Sequence, residues 1–74
     1  MKETYKATPK GWDESHSYLV VIKIITKLSS GKILERYEVV KRWSRQGHGE
    51  PGKFTNSLKG VHYIENELKD ITLM

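Results

Sequence analysis

Two β-rich runs constrain this chain most: YLVVIKIITKL at residues 18–28 and ILERYEVVKRW at 33–43, separated by SSGK. Val, Ile and Thr dominate the first run. Their branched β-carbons are stiff at χ1 and suit a pleated surface, which predicts a strand. Gly31 frees the turn to take positive φ. The second run is ambiguous, because Ile33, Tyr37 and Val40 also recur at helical spacing. Antiparallel pairing tests it. A loop at 29–32 sets Leu28 opposite Ile33, Thr26 opposite Glu35, Ile24 opposite Tyr37, and Ile22 opposite Val39. Val20 then faces Lys41 and Tyr18 faces Trp43, while the other face sets Lys23 against Glu38 and Val21 against Val40. One register supplies an apolar face, an aromatic pair and an ion pair, so a hairpin over about 18–43 is the favoured reading.

A hairpin alone is marginal in water and needs a cover. The C-terminal segment offers one. Leu58, Val61, Ile64, Leu68 and Ile71 fall at spacings of three and four, which predicts an amphipathic helix over about 57–70. Asn56 or Ser57 would cap it, and Glu65 would pair with Lys69. Gly60 weighs against that helix, and a strand at GVHYI competes with it. Residues 1–16 are polar and hold Pro9 and Gly11, so they read as a flexible arm tacked down by Tyr5 and Trp12. The expected fold is therefore α+β: a single small domain with its folded body at 17–74. The hairpin's second face, with Leu19, Val21, Ile25, Leu34 and Val40, would be covered by the arm, a second copy of the chain or a partner.

With 74 residues there is room for one thin core. Cysteine is absent, which excludes disulfides and cysteine-ligated metals and fits a reducing, cytoplasmic setting. Residues 1–16 contain no apolar stretch, so no secretory signal is expected there. No apolar run approaches the roughly 20 residues of a membrane span, so no membrane partner is expected.

GHGEPGKFT, residues 47–55, nearly matches the phosphate-binding pattern G-x-x-x-x-G-K-[ST]. Phe54 stands where the hydroxyl residue belongs, and Pro51 removes an N–H from the would-be cradle. The chain is also too short for the parallel α/β domain that holds such loops. A flexible connection is the better reading. His16, His48 and His62 lack metal-ligand spacing. Nothing in the sequence orders a Ser–His pair, and a thin core offers no pocket. No enzyme, cofactor, metal or small-molecule substrate is expected.

Net charge is +4, from 13 basic and 9 acidic residues. A small basic domain suits a polyanion. The strongest signal is KRWSRQGHGEPGK, in which Lys41, Arg42, Arg45 and Lys53 surround Trp43. Cations neutralise phosphates and an exposed ring stacks on a base. Lys6, Lys10 and Trp12 would add to the cluster. The competing view packs Trp43 on Tyr18 and leaves the charges solvated. A nucleic-acid-binding module is the leading expectation. A protein-interaction module, regulator or inhibitor, homodimeric or with a partner, using the hairpin's second face or an edge strand, is its rival.

VVKRWSRQG, followed by a Pro and then KGVHY, resembles the core of small phage excisionases. The resemblance covers roughly residues 39–63. It implies a winged-helix fold with 33–46 helical, and DNA bending by recognition helix and wing. The upstream YLVVIKIITKL departs from that pattern, since β-branched residues make a poor first helix.

Overall fold

The structure is a computed structural model that describes residues 3–74. It contains six strands: β1 Thr4–Pro9, β2 Ser17–Lys27, β3 Ile33–Ser44, β4 Lys53–Thr55, β5 His62–Tyr63 and β6 Leu68–Leu73. A single 3₁₀ turn, Glu65–Glu67, precedes β6. All pairings are antiparallel, in the order β4-β3-β2-β1-β6, with β5 also paired to β3.

The hairpin is present, but its register differs from the expected one near the turn. Tyr18 does face Trp43 and Val20 faces Lys41. Beyond Val20 the register shifts, so Val21 faces Val39, Lys23 faces Tyr37 and Lys27 faces Ile33. The extra residue is Val40, a β-bulge, and one inserted residue moves every later pair by one. Lys23 consequently pairs with Glu35 (3.5 Å) rather than Glu38.

The α+β expectation is corrected: no C-terminal helix exists, and the described residues form an antiparallel sheet. Gly60 has φ +86, outside the helical region. Its N–H donates to the Val39 carbonyl (3.0 Å), and the Val39 N–H donates to Val61 (2.8 Å), so this segment covers the β3 edge at the bulge. Residues 68–73 are instead strand β6, whose register on β1 shifts opposite Thr8 and Pro9. Ile71 faces Ala7, and Leu73 faces Tyr5.

The arm is corrected too. Its residues 4–9 are β1, which lies between β2 and β6. Tyr5 and Ala7 alternate with Thr4, Lys6 and Thr8 across the pleat. Pro9 ends the strand, where proline's missing N–H is tolerated. Met1 and Lys2 lie outside the described residues. The winged-helix expectation falls with these corrections, because 33–44 is a strand.

The core comprises Ala7, Leu19, Val21, Tyr37, Val39 and Leu68, with Tyr5, Trp12, Leu58, Tyr63 and Ile71 packed against it. β1 thus extends the hairpin face that carries Leu19 and Val21, and Trp12, Leu58, Tyr63 and Leu68 belong to the core formed with that face. Two of the apolar residues expected on that face, Ile25 and Leu34, are exposed, and Val40 is half-buried. No helix is long and apolar enough to cross a membrane among the described residues.

Candidate nucleic-acid interface

Strand pleating divides the expected cluster. Successive side chains point to opposite faces, so Lys41 and Trp43 project one way and Arg42 the other.

On the Trp43 side, three rings cross adjacent strands. Trp43 lies opposite Tyr18 on β2 and Phe54 on β4. The Tyr18 and Trp43 rings stack, with centroids 4.9 Å apart and planes at 19°. Phe54 meets Tyr18 edge-on at 6.5 Å. A cation sits near each ring. Lys6 Nζ is 4.6 Å from the Tyr18 centroid, Lys41 Nζ is 4.3 Å from Phe54, and the Arg45 guanidinium carbon is 5.7 Å from Trp43. Lys6, Val20 and Lys41 are consecutive cross-strand neighbours, so these two lysines flank Val20.

In the Gly-rich loop, Gly52 has a packing role. A β-carbon there would fall within the Trp43 indole. The second glycine of the phosphate-loop-like pattern thus permits close packing of backbone on Trp43, and Lys53 begins β4 instead of a helix. Trp43 is half-buried between Tyr18 and this loop. Phe54, at 51% exposure, is the open ring. Phe54 lies outside the cluster expected from sequence, where it stands only as the residue that breaks the phosphate-loop pattern. Its position directly after Lys53 was the available signal.

The opposite side carries an open cleft of about 680 Å³ lined by Arg42, Arg45 and Lys53 together with Ser17, Ser44, Thr55 and Glu50. Its cations are partly engaged. Arg42 lies over Trp12 at 4.8 Å, and its buried Nε has no hydrogen-bond partner among the described residues. Arg45 Nε donates to the Ser15 carbonyl (2.7 Å), and Nη1 donates to the His48 carbonyl (3.1 Å). Arg45 therefore tethers the β3–β4 loop to the β1–β2 loop, and Glu50 opposes its charge.

Asp13, Ser15 and His16 share one tight turn. The Ser15 hydroxyl and N–H both donate to Asp13 Oδ1 (2.7 and 3.0 Å). His16 Nδ1 lies 3.0 Å from Asp13 Oδ2 and 3.2 Å from Ser15 Oγ. Catalytic use would require Ser and Asp on different ring nitrogens. Here both meet Nδ1, so the cluster is a loop brace. The Ser15 bonds, followed by His16, hold the Asp13 carboxyl well below the usual carboxylate range. No group of three or more His, Cys, Asp or Glu that could hold a metal occurs among the described residues.

Comparison with known protein families, curated proteins and solved structures gave no match for this chain.

Proposed function

We propose that the protein is a small, non-enzymatic module that binds nucleic acid on the face carrying Tyr18, Trp43 and Phe54. The observation that supports this most is the pairing of an open ring with adjacent cations: Phe54 under Lys41, beside Lys6 over Tyr18. A half-exposed ring on a sheet is a stacking platform for an unpaired base. Lys6 and Lys41 stand on this face where the flanking phosphates would run, whereas Lys53 lies on the opposite pleat with Ser44 and Thr55. Trp43 lies between Tyr18 and Phe54 on the same face, and Arg45 fixes the loop that packs on it. Arg42 lies on the far face and is assigned to packing on Trp12. Action in the cytoplasm accompanies this reading.

The test is titration of a short oligothymidine with the wild type and with Phe54→Ala over a salt series. Stacking of one base is worth about 1–3 kcal/mol, so Phe54→Ala weakens binding by roughly 5-fold to 150-fold. The logarithm of affinity falls linearly with log salt, by about 0.7 per neutralised phosphate. Absence of binding at low salt refutes the proposal.

A further inference from the structure

β2 and β3 run past their neighbours. β1 pairs with β2 no further than Ile22, and β5 pairs with β3 no further than Tyr37. Beyond these points, among the described residues, Ile24–Lys27 and Ile33–Arg36 pair only with each other, and Lys23 stands at their base opposite Tyr37. They form a two-stranded ribbon closed by residues 28–32. The molecule measures 50 Å along its longest axis and 24 and 20 Å across.

This ribbon has unusual chemistry for a solvated hairpin. Four cations, Lys23, Lys27, Lys32 and Arg36, stand against one carboxylate, Glu35. The rest of the chain keeps nine of the 13 cations and eight of the nine carboxylates, so most of the net charge is on the ribbon. Glu35 neutralises Lys23, and neither Lys27 nor Lys32 forms an ion pair among the described residues. Large aliphatic side chains are exposed near the tip: Ile25 and Ile33 at 61% each, with Leu28 and Leu34 at 41% each.

We infer that the ribbon is a second nucleic-acid contact that enters the major groove of a duplex segment. Strands sit about 4.8 Å apart, and the groove is about 12 Å wide and admits a two-stranded ribbon. Lys27 and Lys32 meet phosphates, while the tip aliphatics contact base edges such as thymine methyls. Lysines alternating with Ile25 also disfavour strand addition by another chain, since edge lysines resist such pairing. Charge complementarity therefore selects a polyanion over a second copy. The inference rests on the nucleic-acid reading above and adds a duplex to it, so the preferred ligand joins a duplex to a single-stranded overhang.

Three probes separate the two contacts: an oligothymidine, a blunt duplex, and a duplex with a thymidine overhang. The double variant Lys27→Glu/Lys32→Glu is compared with Phe54→Ala. Both ribbon positions are exposed, so folding is retained. The ribbon variant is expected to bind the blunt duplex on the order of tenfold more weakly, with a shallower salt slope, and to bind oligothymidine as the wild type does. Unchanged duplex affinity in the ribbon variant overturns this inference and leaves the Phe54 site standing. Failure of every probe overturns both. Ribbon-dependent binding to phosphatidylserine vesicles without duplex binding, or a concentration-dependent dimer abolished by the ribbon variant, also overturns it.

Discussion

Gly52 shows how one residue type is fixed by its neighbour. The indole of Trp43 occupies the space a side chain would need. Gly52→Ala is expected to destabilise the protein by about 1–3 kcal/mol, the usual cost of overpacking. Gly49→Ala is the control, since nothing lies within 4 Å of its would-be β-carbon; its change stays within about 0.5 kcal/mol. Urea denaturation measures both, and equal effects would remove the packing role. Asp13 supplies a pH prediction. Its folded pKa is depressed, so its contribution is present above the unfolded value of about 3.9 and is lost as pH falls below it. The thermal midpoint of the wild type should exceed that of Asp13→Asn at pH 6, and the gap should shrink by pH 3. A gap independent of pH would show that ionisation of Asp13 adds nothing.

Among the elements, β2 and β3 were legible because β-branched runs and cross-strand pairing agreed. The bulge at Val40 was not, because no glycine or proline marks it. A pairing rule with a fixed offset cannot see an inserted residue. The segment after Asn56 misled for a different reason. Leu58, Val61, Ile64, Leu68 and Ile71 match a helical stripe by spacing, yet Val61 and Ile64 are exposed while Leu68 is buried. Gly60 at positive φ divides the segment, and the strand after it pairs with β1, a contact distant in sequence. β1 itself was hidden by Pro9 and Gly11, although the alternation Tyr5, Lys6, Ala7, Thr8 was visible. Leu68 joins β6 to the core, so Leu68→Ala should cost about 2–5 kcal/mol. That is a large share of the roughly 5–15 kcal/mol typical of a domain. Ile64→Ala, at an exposed site, should cost far less. Urea midpoints that rank these two variants the other way would show that β6 is not held through Leu68.

At the scale of the whole molecule, the sequence located the basic-aromatic cluster but could not divide it between faces. That division depends on register: Lys41 and Trp43 share a face with Tyr18 and Lys6, whereas Arg42 lies over Trp12. The molecule then presents two cationic features, a ring-bearing face near β4 and a ribbon at the far end of the hairpin. Charge reversal at Lys41 should weaken oligothymidine binding and reduce its salt slope by about 0.7, whereas Lys69→Glu, on β6 at the other end of the strand order from β4, should do neither. Similar losses from the two would indicate non-specific attraction to net charge.

The central claim is that an unpaired base stacks on the Tyr18–Trp43–Phe54 face. The most direct measurement is a map of backbone amide and aromatic proton shifts as oligothymidine is added to the labelled protein. We expect the largest changes at Lys41–Trp43 and Lys53–Thr55, in the Phe54 ring and at Lys6, with the core strand positions Ala7 and Val21 little affected. Changes confined to other surfaces, with the Phe54 ring signals unmoved at saturation, would contradict the claim.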